Sequence, residues 1–173
     1  MKRFKILATF IVFGAALFTS CGDTEPIDPA VVTGDTTVIT GRYRLTAFNT
    51  DVRTDLNNDG TASTNQMSET TCYNNMFLTL NENNTFSADS RGVDISATDA
   101  LECFTDPIIT GTWVRSGSQL ILTYTESGET FTDTYTILGD TLTIREDLGT
   151  IVGIPVDVPV FLTSGITIIY TKQ

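Results

Sequence analysis

The chain contains no histidine, and this absence removes several kinds of chemistry at once. Serine or cysteine nucleophiles that are activated by histidine are excluded, and so is zinc held by imidazole. No glycine-rich phosphate-binding loop is present either. A pair of carboxylates is the remaining route to hydrolysis, but with 21 acidic residues a neighbouring pair carries little information. We therefore predict a protein that is not an enzyme.

Basic residues are scarce, with 10 Lys and Arg against 21 Asp and Glu. Three of the ten, Lys2, Arg3 and Lys5, stand at the N-terminus, so residues 21–173 carry a net charge of −14. Binding of nucleic acid requires a basic patch, and anionic lipid head groups also attract basic segments. We therefore predict no nucleic-acid partner and no electrostatic binding to anionic membranes.

The chain also lacks an apolar run long enough to span a bilayer. Its longest, residues 6–18, has about 13 residues where a spanning helix needs roughly 20. A basic start, this short run and Thr19-Ser20-Cys21 resemble the signal and lipobox of bacterial lipoproteins, whose cysteine is acylated. We predict a signal peptide over 1–20 and a lipidated Cys21 followed by a flexible tether over 21–37. The alternative is an ordinary signal peptide that leaves Cys21 free.

The same segment predicts the location of the protein. A lipid on Cys21 would anchor the chain to the outer membrane of the cell, facing the periplasm or the exterior. The two other cysteines, Cys72 and Cys103, would then form a pair outside the cytoplasm, where such pairs tend to oxidise. We predict a disulfide between them; the alternative is two thiols that never meet.

Alternation of apolar and polar residues with period two recurs after the tether, while no amphipathic helix longer than about two turns is found. Turns of two to four residues link most of these segments, and turns this short join antiparallel strands. We predict an all-β domain over 38–173, an antiparallel up-and-down meander of about eight strands closed into a barrel; a β-sandwich is the alternative. Long loops are expected at 49–75 and 90–107. The alternating segments are 38–48, 76–80, 85–89, 108–115, 119–125, 130–138, 141–145, 160–161 and 166–172.

Two short motifs echo each other, Ile39-Thr-Gly-Arg-Tyr43 and Ile109-Thr-Gly-Thr-Trp113. Both are similar to the Gly-x-Trp strand signature of lipocalins. Together with the patterns at 83–86, 118–122 and 139–143, they make the chain resemble the bacterial lipocalin-like domain lipoprotein family over residues 38–172. The resemblance implies an antiparallel barrel with an apolar interior that binds a small ligand.

Asp133 is unusual because it shares a strand face with Phe131 and Tyr135. If that face is inward, the carboxylate either pairs with Arg115 or Arg145 or lines a ligand pocket, since a buried unpaired charge is costly. A β-bulge that turns Asp133 outward is the alternative.

We predict a non-catalytic binding module, expected to be a monomer, for a small and partly apolar ligand held in the barrel mouth near the disulfide. The alternative is an envelope accessory protein with a packed barrel, whose loops contact a protein or a glycan. For Trp113, the alternative to ligand binding is a core role at the barrel base. The candidate ligand-binding residues are Tyr43, Trp113, Asp133 and Tyr135.

Asp55-Leu-Asn-Asn-Asp-Gly60 reads D-x-N-x-D-G, which is how a calcium loop begins. The predicted ligands are the side chains of Asp55, Asn57 and Asp59 and the carbonyl of Thr61. Gln66 stands where an EF-hand has its bidentate Glu, and an Asx-rich turn without metal is the alternative. No other cofactor is expected.

Overall fold

A computed structural model describes residues 38–154 and 158–173. The predicted signal peptide, Cys21 and the tether over 21–37 lie outside the described residues. The described residues form eleven strands and one short helix: β1 (Gly41–Thr54), β2 (Ser63–Asn65), α1 (Gln66–Glu69), β3 (Phe77–Leu80), β4 (Thr85–Ala88), β5 (Arg91–Ile95), β6 (Leu101–Thr105), β7 (Ile109–Ser116), β8 (Gln119–Glu126), β9 (Glu129–Leu138), β10 (Thr141–Gly153) and β11 (Val160–Lys172).

Eight of the strands form a closed antiparallel barrel in the order β1-β3-β4-β7-β8-β9-β10-β11. The ring closes where β11 pairs with β1, in a register that runs from Tyr43 opposite Lys172 to Thr50 opposite Ile166. This closure confirms the predicted all-β, lipocalin-like barrel and excludes the sandwich, which would leave two open sheets. β2 pairs with β1 beside the ring, and β5 and β6 form a separate two-stranded sheet.

Both predicted long loops contain regular structure. The segment 49–75 holds the end of β1, β2 and α1, and the segment 90–107 holds the β5–β6 hairpin. In β6 only Leu101 is shielded from solvent, so this strand lacks the apolar face that makes a strand visible in a sequence. β10 likewise continues to Gly153, beyond the predicted end at 145.

The two ends of the barrel differ. The base carries the turns β3–β4, β7–β8 and β9–β10, at residues 81–84, 117–118 and 139–140. The mouth is the opposite end, which carries the β8–β9 turn, α1 and the β5–β6 hairpin. Lys172 Nζ donates to the carbonyl of Val38 at 2.5 Å, so the described chain enters the barrel at its base.

Large apolar side chains fill the barrel interior and close the base. The indole of Trp113 donates to the carbonyl of Asn81 at 3.1 Å, and the hydroxyl of Tyr43 donates to the carbonyl of Ile39 at 2.7 Å. Both polar groups are therefore satisfied inside an apolar cluster. The other buried members of the cluster are Leu45, Tyr73, Met76, Leu78, Leu80, Phe86, Leu120, Leu122, Tyr135, Ile137, Leu142 and Tyr170.

A buried polar network holds α1 against β1 at the mouth. Gln66 is 1% exposed; its amide nitrogen donates to Thr50 at 3.0 Å, and its amide oxygen accepts from Thr54 at 2.9 Å. Glu69 accepts from the backbone N–H of Leu56 at 3.1 Å. These bonds satisfy the polar groups that α1 buries, which would otherwise be costly.

Close packing explains why the second Gly-x-Trp motif has a glycine at position 111. A Cβ on Gly111 would overlap the carbonyl oxygen of Thr123 and lie 2.7 Å from the ring of Phe86. The backbone of Thr123 is fixed by the β7–β8 ladder, so the overlap cannot be relieved by a side-chain movement. Glycine is therefore required at this position.

We expect Gly111→Ala to destabilise the protein by about 3 kcal/mol, because the added methyl group overpacks the junction of β7, β8 and Phe86. Denaturant unfolding of the purified protein measures the change. Gly117→Asn is the control, since Gly117 has open space around it and a left-handed backbone that Asn tolerates. Equal stability of the two variants would contradict this explanation.

Candidate functional site

The inner wall of the mouth combines aromatic rings with a carboxylate. The β8–β9 ladder is unbroken from Gln119 to Glu126, and it pairs Leu122 with Asp133 and Tyr124 with Phe131. Asp133 therefore lies on the inward face, and the predicted alternative of a bulge that turns it outward is wrong.

The rings make contact with one another along this wall. Tyr124 stacks on Phe131 with centroids 5.6 Å apart and meets Phe86 edge-on at 6.2 Å. Tyr135 and Tyr170 form a second edge-on pair at 6.4 Å. Such geometries are favourable for aromatic pairs and hold the rings in fixed orientations.

Asp133 is partly buried, and its surroundings disfavour its charge. Burial raises the pKa of this carboxyl; a hydrogen bond from the Tyr124 hydroxyl lowers the pKa, and the nearby charge of Glu146 raises it again. Burial also raises the pKa of Tyr170 to about 12, and the charges of Asp89 and Asp133 add to that effect. The surroundings of Asp133 therefore disfavour a negative charge on this side chain.

The predicted ion pair of Asp133 with Arg115 or Arg145 is not formed in the described residues. Arg145 binds Asp51 at 2.8 Å and Asp147 at 2.9 Å on the outer surface. Arg115 donates from Nε to the carbonyl of Gly117 at 2.9 Å, at the base. A role of Asp133 in the wall of a ligand pocket stays a prediction.

The barrel wall opens beside Asp133. The ladder between β9 and β10 comprises three residue pairs, which join 136–138 to 141–143, although the two strands have 10 and 13 residues. Beyond these pairs both strands continue toward the mouth without pairing to each other. This unpaired part of β9 contains Asp133, and that of β10 contains Ile144 and Glu146. We call this opening the seam, bounded by residues 129–135 of β9 and 144–146 of β10.

The β5–β6 hairpin lies over the mouth. Val93 packs against the core cluster, and the backbone N–H of Asp106 donates to the carbonyl of Ser90 at 2.9 Å where the hairpin begins and ends. The predicted disulfide is confirmed: Cys103 in β6 is bonded to Cys72, with Cα atoms 5.2 Å apart. The bond ties the hairpin to the segment before β3.

A cavity of about 220 Å³ lies beneath the hairpin. It is lined by Leu56, Glu69, Val93, Leu101 and the disulfide, among others. This cavity is beside the mouth, whereas the barrel base is packed.

The structure separates the four predicted ligand-binding residues into two groups. Tyr43 and Trp113 lie at the base, where both are at least nine-tenths buried and hydrogen-bonded to backbone. Tyr135 is also nine-tenths buried, while Asp133 lies nearer to the mouth on the same face. Sequence reasoning missed Tyr124, Glu146 and Tyr170, which alternate onto the inward faces of β8, β10 and β11.

The predicted calcium loop folds on its own hydrogen bonds. The two Asp55 carboxylate oxygens accept from the backbone N–H groups of Asp59 and Gly60 at 3.1 and 2.9 Å, and Asp59 accepts from that of Thr61 at 2.8 Å. Asn57 accepts from the backbone N–H of Asp59 at 3.0 Å. Across 38–154 and 158–173, no group of three or more acidic or cysteine side chains is arranged to hold a metal ion. Calcium binding stays a prediction.

None of the helices within the described part of the chain is long and apolar enough to cross a membrane. The sequence profile of the lipocalin-like domain matches residues 39–147, more than half of the chain. No curated protein and no solved structure matches the chain.

The shifted pKa of Asp133 predicts a pH-dependent stability. A carboxyl whose folded pKa is raised contributes stability when protonated and loses it as the pH rises through that pKa. We therefore expect Asp133→Asn to raise the melting temperature by about 1–4 °C at pH 7, and the gain to vanish toward pH 4. Thermal melts across this pH range test it.

Asp140→Asn, in the exposed β9–β10 turn, is the control and should show no such trend. The ionisable side chains that face Asp133 are those of Tyr124, Tyr135 and Glu146. A lower melting temperature for Asp133→Asn at pH 7 would show that the carboxylate stabilises the fold.

Removal of the disulfide is expected to lower the stability of the protein and to loosen the β5–β6 hairpin locally. The two cysteines are 31 apart in the chain, and closing a loop of that length stabilises a protein by about 3–4 kcal/mol in the chain-entropy model. We expect the double variant Cys72→Ala, Cys103→Ala to lose about this much. Hydrogen exchange should become faster in β5 and β6, which share no ladder with the barrel, and stay slow in β7 and β8. Unchanged protection of the hairpin would mean that packing of Val93 alone holds it.

Proposed function

The chain belongs to the lipocalin-like domain family, and from that membership we propose that it is a non-catalytic module that binds a small, partly apolar ligand. The ligand would enter at the mouth and lie against the aromatic wall of β8 and β9. Proteins that share this barrel are generally binding proteins rather than enzymes, which supports the proposal.

The observation that carries the proposal is the contrast between the two ends of the barrel. The base is closed by Trp113 and Tyr43, whereas the seam leaves the wall open next to Phe131 and Asp133. A ligand site needs apolar walls, a few polar groups to orient the ligand and a route of entry. The mouth offers all three.

The basic start, the short apolar run and Thr19-Ser20-Cys21 support a role at the cell surface or in the periplasm. We propose that Cys21 carries a lipid, that residues 21–37 form the tether and that the protein works as a monomer on the outer membrane.

An accessory role is the second candidate, and exposed apolar side chains favour it. Phe161 is 59% exposed and Val158 is 51% exposed, both near the mouth end of β11. Apolar side chains at the surface are suited to contact with another protein. In this reading the barrel is a packed scaffold that presents its loops to an envelope protein or a glycan.

Native mass spectrometry of the full-length protein, purified from its own host in detergent, tests the proposal. We expect a non-covalent adduct the size of a small organic molecule, in addition to a covalent lipid on Cys21. Phe131→Ala should lose the adduct because it removes an inward ring of the mouth. Thr130→Ala is the matched control, since Thr130 is the neighbouring residue and is exposed.

A protein mass without an adduct, together with no binding of the neutral apolar probe N-phenyl-1-naphthylamine, would contradict the binding function. The accessory role would then be the better explanation. A covalent mass on Cys21 reports on the anchor independently of either result.

A further inference from the structure

We propose that the mouth selects a small organic cation, in which a protonated amine is attached to an aromatic or apolar body. This inference rests on the proposed binding function and names the chemical class of its ligand. The ammonium group would lie at the seam beside Asp133, and the apolar body would lie against Tyr124 and Phe131.

The charge at the seam is negative on both of its sides. Asp133 faces inward from β9, and Glu146 continues the inward alternation of Leu142 and Ile144 on β10, whose ladder with β11 is regular as far as Glu146. Glu146 is exposed, so a ligand arriving from solvent can reach it. Two carboxylates on facing strands attract a cation and repel an anion.

The nearest basic side chain on β10 is held on the opposite face of the barrel wall. Arg145 crosses over β11 to reach Asp51, and Gly165 lies beneath the ion pair. A Cβ on Gly165 would lie 2.6 Å from the guanidinium of Arg145, so the glycine leaves room for the crossing. Arg91, on the hairpin over the mouth, lies 4.0 Å from Asp89. With Arg145 on Asp51 and Arg91 beside Asp89, a ligand would supply the counter-charge for Asp133 and Glu146.

The aromatic rings suit the same ligand. A cation within about 6 Å of the face of an aromatic ring is attracted by it, and the body of the ligand is desolvated by the same rings. Tyr124 contacts both Phe86 and Phe131, so its ring is held in place. Its hydroxyl is close enough to the carboxyl of Asp133 to lower the pKa of that group by hydrogen bonding.

An ammonium group is the chemical match for this arrangement. It has three donors, and the carboxylate of Asp133 has acceptor positions left after the single bond from Tyr124. A neutral alcohol of the same shape would keep the apolar contacts but lose the charge. A carboxylate ligand would meet repulsion from both acids.

Isothermal titration of the purified full-length protein at pH 7 with three matched probes tests the inference. The probes are 2-phenylethylamine, which is a cation, 2-phenylethanol, which is neutral, and phenylacetate, which is an anion. We expect the amine to bind about tenfold more tightly than the alcohol, and the anion to bind most weakly. Asp133→Asn should remove the preference for the amine, whereas Asp140→Asn, which makes the same charge change at the base, should keep it.

The possible outcomes separate the two proposals. Equal affinity for amine and alcohol overturns the cation inference and leaves the binding function standing. Binding of none of the probes at millimolar concentration overturns the inference and counts against the binding function as well. If Asp133→Asn does not fold, Glu146→Gln replaces it, because this exposed side chain contributes the second charge; an unchanged preference in a folded variant of either kind overturns the assignment of the site.

Discussion

Closure of the ring between β1 and β11 is the constraint on which the other features of the barrel depend. Once these strands pair, one face of each of the eight strands points into the closed barrel. The interior must then be filled by side chains or left open to a ligand. Large apolar side chains fill it at the base. At the mouth the same faces carry Tyr124, Phe131 and Asp133, which do not complete a sealed core.

Period-two alternation predicted most of this arrangement from sequence. It predicted the strands of the barrel and the face that Asp133 shares with Phe131 and Tyr135, because both depend on local spacing alone. It left open whether a bulge turns Asp133 outward, which the unbroken β8–β9 ladder excludes. It did not reveal β5 and β6, because in β6 only Leu101 is partly shielded from solvent and the strand has no continuous apolar side to detect. The hairpin is held by the disulfide and by Val93, and both are contacts between distant parts of the chain.

The candidate site was only partly predictable for the same reason. Spacing assigns Tyr43, Trp113, Asp133 and Tyr135 to strand faces, but it does not indicate at which end of the barrel each residue lies. That depends on how the strands are staggered, and the stagger places Tyr43 and Trp113 at the base. Glu146 was missed because the segment after Arg145 was expected to leave the sheet, whereas β10 continues to Gly153.

The seam links the fold to the proposed function. β9 and β10 have enough residues for a long ladder, yet they pair through three residues and leave backbone groups without partners in the ladder. Unpaired edges are normally avoided in barrels, because closure exists to remove them. Here the opening lies between two acidic side chains, where a complete ladder would have brought Asp133 and Glu146 closer together. Separation of the strands reduces that repulsion. The short ladder and the two acidic side chains therefore occur at the same place in the wall, and this coincidence connects the fold to the proposed cationic ligand.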